Sequence, residues 1–180
     1  SASKASAEIV FSSFLRSIFN FKRTGYATAR AGNVIGGGDW SENRIVPDAV
    51  KSVIKNNFLT LRNPHSTRPW EHVLEPINGY LKLGYYLLKD PKNYSGSWNF
   101  GPSSEKRKSV NELVELLFNS LKKGKIKSNN KKNDSFYESK ELQLNCDKSN
   151  KYLNWKTLWS IEKTVIKTAE WYDAYMSGKD

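Results

Sequence analysis

Three side chains suited to anion binding lie at predicted turns and helix starts. Asn33 follows the strand-like segment Tyr26–Ala31, in the kind of turn where open α/β sheets bind ligands. Arg44 opens a predicted helix, and a helix amino terminus favours a nearby phosphate. The planar guanidinium of Arg68 can hold two phosphate oxygens at once. Residues of these types at such positions are suited to an anionic ligand. Each has an alternative: Asn33 could be present to form a turn, and Arg44 could be an ordinary surface residue. Arg68 could form a salt bridge with a neighbour such as Glu71.

The sequence disfavours several other kinds of site. The glycines at 36–38 are not followed by Gly-Lys-Ser/Thr, so they predict a flexible loop rather than a nucleoside triphosphate site. The single cysteine, Cys146, lies in an alternating segment and is expected to pack in the interior. His65 and His72 have no cysteine or histidine at metal-ligand spacing, which argues against zinc.

The formal charge of +11 indicates anionic partners. Six lysines lie between Lys122 and Lys132 and predict a solvated loop. A nucleic-acid patch is the alternative, but no aromatic residue is interleaved there to stack on a base. No apolar run approaches the ~20 residues needed to cross a bilayer, and no secretory leader is recognisable. With one cysteine, the expected setting is a reducing cytoplasm.

The spacing of apolar residues predicts an alternation of helices and strands. Helices are expected at 5–19, 46–54, 76–88, 110–121, 147–153 and 161–172, and strands at 26–31, 59–62, 70–73, 97–100 and 142–146. Ser109 and Glu112 have the spacing of a capping box. The expected core includes Trp70, Trp98, Trp155 and Trp171. The alternation predicts an α/β fold with parallel strands, entered partway because the chain opens on a helix.

Seven segments together form a recognisable series: Ser1–Glu8, Arg30–Gly36, Arg44–Asp48, Arg62–Pro76, Trp98–Pro102, Leu144–Lys148 and Leu153–Trp155. In this order they resemble the extended short-chain dehydrogenase/reductase family, and most closely the CDP-glucose branch of its nucleotide-sugar 4,6-dehydratases. The sharpest marker is Arg-Pro-Trp-Glu-His-Val-Leu-Glu-Pro at 68–76, because related dehydratases usually have an acidic residue in place of Pro69. Asn145 and Asn154 depart from the usual aspartate and glycine, and we expect these changes to affect local turns.

The resemblance implies a fold class and a division into domains. The chain would be the carboxyl-terminal part of an NAD(P)-binding Rossmann-type α/β fold, with the smaller substrate-binding domain. Residues 1–32 would end the dinucleotide-binding domain. Residues 33–180 would mainly form the nucleotide-sugar-binding domain, with segments near 58–100 contributing back to the Rossmann sheet.

The resemblance assigns one catalytic residue to this chain. Lys4 matches the lysine of the family's Tyr-x-x-x-Lys pair, which binds the ribose of NAD and lowers the pKa of the tyrosine. That tyrosine, the cofactor glycines and the elimination acid and base would all precede Ser1. The 180 residues alone are therefore expected to be inactive.

The resemblance further implies that this chain binds a nucleotide-diphospho-sugar, expected to be CDP-glucose, through Asn33, Arg44, Arg62, Arg68 and Asn99. Arg62 would lie near the base. Glu138 matches an acidic position near the sugar pocket. The helix after Lys4 would pack against a second subunit in a homodimer, and neither a membrane nor a nucleic acid is an expected partner. Two alternatives stay open: a nucleotide-sugar epimerase of the same family, and a basic binding module that does no chemistry.

Overall fold

The structure is a computed structural model that describes residues 2–19, 24–102, 107–127 and 144–179. In chain order its elements are α1 (Ala2–Ser17), β1 (Ala27–Ala31), β2 (Asn33–Ile35), α2 (Ile45–Ile54), β3 (Phe58–Thr60), β4 (Thr67–Arg68), β5 (Trp70–His72), α3 (Leu74–Lys89), α4 (Pro91–Tyr94), β6 (Gly96–Phe100), β7 (Lys108–Ser109), α5 (Val110–Leu121), β8 (Lys125–Lys127), α6 (Asp147–Leu153) and α7 (Ile161–Met176). They form two compact units. Unit 1 comprises Ser1–Ala31, Leu74–Gly101 and Leu144–Lys156, and unit 2 comprises Gly32–Val73, Pro102–Gln143 and Thr157–Asp180.

Unit 1 is built on the parallel pair β1 and β6, in which Ala27 lies opposite Gly96 and Ala31 opposite Phe100. Its core is formed by residues of α3, β6 and α6 and of the segment that follows α6. The core combines three aromatic residues with two leucines: Leu83, Trp98, Phe100, Leu153 and Trp155. The indole N–H of Trp98 donates to the Tyr94 carbonyl at 2.9 Å. This satisfies a polar group that would be costly to bury unpaired.

The predicted helix at the start of the chain is present as α1, and several apolar residues on it and just beyond its end are exposed within unit 1. Ile9, Val10, Phe14 and Ile18 all have exposed side chains. A helix is normally stabilised by burying its apolar stripe. The expectation that this face meets a second subunit stays a prediction.

Unit 2 contains two parallel strand pairs, β2 with β5 and β3 with β8, and one antiparallel pair, β4 with β7. Its core is formed mainly by one face each of α2, α5 and α7 and includes Ala49, Val50, Leu113, Val114, Leu117, Val165 and Tyr172. The predicted capping box is confirmed at the start of α5. The Ser109 N–H donates to Glu112 Oε2 at 2.8 Å, and the Glu112 N–H donates to Ser109 Oγ at 3.2 Å.

Among the described residues, three of the four strand pairs are parallel, and the expected α/β fold class is confirmed. The loop predicted from Lys122 onward is wrong at Lys125–Lys127, which form β8 beside β3. The two lysines are exposed and Ile126 is half-buried, which is the two-residue period of a strand with one face inward.

The structure differs from the sequence expectations at residues 144–146 and at Trp171. The strand expected at 142–146 is absent at 144–146, where the chain turns into α6, while residues 142–143 and Glu138 lie outside the described residues. Trp171 is 42% exposed rather than in the core. The next residue on α7, Tyr172, faces inward, and consecutive residues of a helix point in different directions. The assignment of residues 1–32 and 33–180 to cofactor and substrate domains stays a prediction.

Candidate functional site: an arginine-lined cleft

Unit 2 contains a cleft of about 760 Å³, within the range of roughly 300–1,000 Å³ typical of ligand sites. Its polar walls carry four of the residues predicted to bind substrate: Asn33, Arg44, Arg62 and Arg68. Its apolar walls come from β2, α2, β3 and β5 and include Ile35, Val46, Leu59, Leu61 and Trp70. The cleft therefore combines apolar surface with three guanidinium groups.

Asn33 reaches the cleft on a strand and not in the turn that the glycine-rich sequence predicted. It begins β2 and lies opposite Trp70 of β5, and its N–H donates to the Pro69 carbonyl at 2.9 Å. Just before it, the Gly32 N–H donates to Glu71 Oε1 at 2.7 Å. Pairing with β5 places Asn33 beside the Arg68–Trp70 segment.

Arg44 occupies the N-cap position of α2, with an extended backbone and no capping side chain. Its Nη1 donates to Asp39 Oδ2 at 3.0 Å, and its side chain is 65% exposed. Burial acts to raise the pKa of Asp39, but hydrogen bonds from Ser41 and Arg44 outweigh it and hold that pKa below its ordinary value. Asp39 is therefore ionised at neutral pH beside the helix amino terminus.

The loop that carries Asp39 is fixed by α7. The Tyr172 hydroxyl donates to the Asp39 carbonyl at 2.7 Å. Burial, with the charge of Asp39 as the second cause, raises the pKa of Tyr172 to about 12, so the phenol stays protonated as a donor. Trp40 packs edge-on against the Tyr172 ring at 5.3 Å, and Lys51 Nζ donates to the Trp40 carbonyl at 2.8 Å.

The glycines at 36–38 serve this loop geometry. A side chain at Gly37 would overlap the ring of Trp171, and Gly38 has a φ of +78°, a conformation that favours glycine. The glycines thus belong to a loop, as expected, but its packing against α7 does not support the flexibility predicted for it.

Arg68 and Arg62 approach the cleft from different strands. Arg68 ends β4 and is 7% exposed, and its Nη1 donates to the Thr67 carbonyl at 2.8 Å. Arg62 follows β3 and is exposed. A guanidinium has five N–H donors in a planar fork, and that of Arg68 is anchored to the backbone of β4.

Lys4 and Asn99 belong to unit 1. Lys4 is exposed on α1, one turn before Glu8. The Glu8 carboxylate accepts hydrogen bonds from Thr28 Oγ1 of β1 at 3.0 Å and Ser97 Oγ of β6 at 2.9 Å. Glu8 thus ties the helix that carries Lys4 to both strands of the unit.

Asn99 is held by its amide nitrogen, which donates to the Asn145 carbonyl at 2.9 Å. Its Oδ1 is buried and has no hydrogen-bond partner among the described residues. The atom that lacks a partner is an acceptor, which suits a hydroxyl or N–H donor and not an ionised phosphate oxygen. The diphosphate role expected for Asn99 stays a prediction, and this geometry favours a neutral donor instead.

Over residues 2–19, 24–102, 107–127 and 144–179, no group of three or more histidine, cysteine, aspartate or glutamate side chains is arranged to hold a metal ion. In the same residues, no helix combines the length and apolar character required to span a membrane. Cys146 is buried.

The chain is 37% identical, over an alignment of 188 positions, to CDP-glucose 4,6-dehydratase of Salmonella typhimurium (strain LT2). The alignment covers all of this chain and 51% of that protein, so the chain spans about half the length of the curated relative it matches. This match confirms the resemblance to a nucleotide-sugar 4,6-dehydratase that the sequence motifs indicated. No protein-family model matches the sequence.

Solved structures of nucleotide-sugar epimerases and a dehydratase share this fold. UDP-galactose 4-epimerase superposes with a TM-score of 0.75 at 16% identity, covering 97% of this chain and 53% of the epimerase. The dTDP-glucose 4,6-dehydratase of Bacillus anthracis str. Ames, solved in complex with NAD, gives 0.73 at 18% identity and covers 98% and 52%. UDP-glucose 4-epimerase of Thermotoga maritima, solved with UDP-glucose, gives 0.74 at 19% identity and covers 96% and 52%. At these identities the likeness shows the fold alone.

Asp39 is the cleft residue that the sequence analysis missed. Its position five residues before Arg44, in a glycine-rich segment, was the only local signal. The contact with Arg44 depends on a loop shape that is fixed by Tyr172, 133 residues farther along the chain.

Proposed function

We propose that this chain forms the sugar-nucleotide-binding part of an NAD-dependent nucleotide-sugar 4,6-dehydratase whose substrate is CDP-glucose. The observation that carries the proposal is the convergence of Asn33, Arg44, Arg62 and Arg68 on one cleft, in a chain 37% identical to a CDP-glucose 4,6-dehydratase. The family alone would not select a ligand, because unrelated functions share a fold.

The side chains of the cleft suit both the diphosphate and the base of a nucleotide diphosphate. Arg44 and Arg68 supply charged N–H donors for the diphosphate oxygens, and such bonds are roughly twice as strong as neutral ones. The α2 amino terminus adds its partial positive charge. Leu59, Leu61 and Trp70 provide an apolar wall for the base, and Arg62 at the end of β3 is a donor for the cytosine acceptors.

Residues of this chain also fit a role beside NAD. Lys4 presents an exposed ammonium on a helix that Glu8 secures to β1 and β6, so it can donate to a ribose hydroxyl. Bound NAD would supply the hydride acceptor for oxidation at C4 of the sugar and, after water is lost from C5 and C6, the hydride donor for C6. Lys4 would lower the pKa of a neighbouring tyrosine by its positive charge and favour proton removal from the C4 hydroxyl. The cleft residues would orient the sugar for that transfer.

The product would be a 4-keto-6-deoxy sugar nucleotide, as used in deoxysugar biosynthesis. We propose a cytoplasmic homodimer in which the exposed apolar residues of α1 contribute to the subunit interface. An epimerase of the same family would bind a similar ligand and differ in product, since it would invert a hydroxyl without losing water.

Calorimetry with CDP-glucose, UDP-glucose and dTDP-glucose tests the ligand, and NMR of the products formed by the full-length enzyme tests the chemistry. We expect CDP-glucose to bind at least about tenfold more tightly than UDP-glucose, as a lost base hydrogen bond costs on the order of 1 kcal/mol or more. Loss of water at C5 and C6 identifies a dehydratase, and inversion at C4 an epimerase. A basic binding module would instead show affinity for single-stranded nucleic acid that falls steeply with salt and no preference for a nucleotide sugar.

A further inference from the structure

The arginine-lined cleft also contains negative charge. Asp39 and Asp48 lie on its walls with Arg44, Arg62 and Arg68. Of these groups, Asp39 and Arg44 form an ion pair at 3.0 Å. An ion pair attracts a distant anion much less than a lone guanidinium does, because the two charges largely cancel. Asp39 therefore sets how much of the charge of Arg44 a ligand experiences.

Asp39 is held in this position by three kinds of contact. Its Oδ1 accepts the Ser41 N–H at 2.9 Å, its Oδ2 accepts from Arg44, and its carbonyl accepts the Tyr172 hydroxyl at 2.7 Å. The side chain is about one-third exposed, and both of its carboxylate oxygens are held by hydrogen bonds. A carboxylate fixed in this way acts on every ligand that enters the cleft.

We propose that Asp39 is a specificity-determining residue, which shifts the selectivity of the cleft towards a diphosphate esterified at both ends and against free nucleotides that end in a terminal phosphate. The proposal rests on the proposed function, because it takes the cleft to be the site of a nucleotide diphosphate. A terminal phosphate carries about −1.5 to −2 charge at neutral pH, whereas a phosphate esterified on both sides carries about one. The repulsion from Asp39 therefore increases from CDP-glucose to CDP to CTP.

Discrimination of this kind would limit competition between free nucleotides and the sugar nucleotide for the cleft. Free nucleoside di- and triphosphates offer the same base, ribose and phosphate groups as the sugar nucleotide. A cleft that relied only on its arginines would bind the more highly charged free nucleotides more tightly, since attraction grows with ligand charge. A fixed carboxylate at the guanidinium reduces that advantage without contacting the sugar.

The test compares dissociation constants for CDP-glucose, CDP and CTP in the parent protein, in Asp39→Asn and in Glu170→Gln. Asparagine keeps the size of Asp39 and an oxygen for the Ser41 N–H, and it removes the charge. Glu170 is a matched control, because it forms an exposed ion pair with Lys167 on α7 and does not line the cleft. Asp39→Asn should tighten CTP binding by about twofold to fivefold relative to CDP-glucose, with CDP between them. The gain should shrink at high salt, and Glu170→Gln should leave the order and ratios unchanged.

An equal change for all three ligands would show that Asp39 only positions Arg44, and would overturn the proposal. An unchanged ratio, or the same shift in Glu170→Gln, would also overturn it. Asp39→Ser is a second charge-removing variant whose hydroxyl can still accept the Ser41 N–H, and it should shift the ratio in the same direction. If the parent protein binds none of the three ligands, the proposed function fails and this inference fails with it, an outcome distinct from binding without a shift.

Discussion

Gly79 of α3 lies directly against the ring of Phe100, so that a Cβ at position 79 would overlap the ring. Phe100 in turn meets the Trp155 ring edge-on, with centroids 4.9 Å apart. Gly84, one and a half turns later in the same helix, has no atom within 4 Å of an added Cβ. The two glycines of α3 thus have opposite environments.

Gly79→Ala and Gly84→Ala should change stability in opposite directions. The first should lower the free energy of unfolding by about 1–3 kcal/mol, because it overpacks the core of unit 1. The second should raise it by about 0.5–1 kcal/mol, because alanine is the better helix former. Urea unfolding of both variants beside the parent measures the two effects. A gain in stability for Gly79→Ala would contradict the close packing of α3 on β6.

The capping box of α5 should contribute stability that depends on pH. The backbone N–H and hydroxyl of Ser109 lower the pKa of Glu112 below its ordinary value. A carboxyl with a depressed folded-state pKa adds stability above its unfolded-state pKa and loses it as pH falls through the folded-state pKa. Glu112→Gln should therefore destabilise the protein at neutral pH, and the difference from the parent should shrink in acid.

Two variants accompany that measurement. Ser109→Ala removes the cap acceptor and should cost about 0.5–2 kcal/mol at neutral pH. Glu115→Gln removes the same charge one turn closer to the middle of α5, where the helix dipole is weaker, and should have a smaller effect. A Glu112→Gln deficit that is constant with pH would disprove the charge-dependent part of the cap.

The capping box shows what sequence alone can predict. Ser109 and Glu112 interact across three residues, so their spacing carries the information. β8 was missed because Lys125–Lys127 become a strand only by pairing with Phe58–Thr60. That pairing is a tertiary effect, and it overrides a lysine-rich composition.

In the candidate site, too, the residue types could be predicted from the sequence, but the contacts between distant segments could not. The resemblance supplied the residue types of the cleft, and the register of β2 with β5 brought Asn33 beside the Arg68–Trp70 segment. The role of Asp39 depends on the contact between Tyr172 and the loop, which no local pattern reveals. The exposure of Trp171 was likewise decided by which face of α7 meets the core.

If the proposed function is right, Arg68→Ala should weaken nucleotide-sugar binding and leave NAD binding unchanged in the full-length enzyme. Loss of a charged hydrogen bond to phosphate costs about 1.5–3 kcal/mol, or about tenfold to a hundredfold in Kd. Arg68→Lys keeps the charge without the planar fork and should fall between the alanine variant and the parent. Calorimetry with CDP-glucose and with NAD measures both affinities, and thermal unfolding monitors the fold because Arg68 is buried. Equal losses for both ligands would assign Arg68 to structure.

Lys4→Met should depress the rate of the intact enzyme far more than it weakens CDP-glucose binding. Asn33, Arg44 and Arg68 in unit 2 would remain to hold the diphosphate, so Kd should change little. Loss of the lysine charge would raise the pKa of the partner tyrosine and remove about a hundredfold or more of general-base catalysis at neutral pH. The residual rate should recover partly as pH rises, because more of the tyrosine is then deprotonated. Lys4→Arg keeps the charge and should retain more activity, and Lys167→Met, which removes an exposed lysine from α7, should match the parent.

The decisive measurement is the pH–rate profile of Lys4→Met beside that of the parent enzyme. Coincident profiles would make Lys4 an ordinary surface lysine and would leave α1, anchored through Glu8, with a structural role alone.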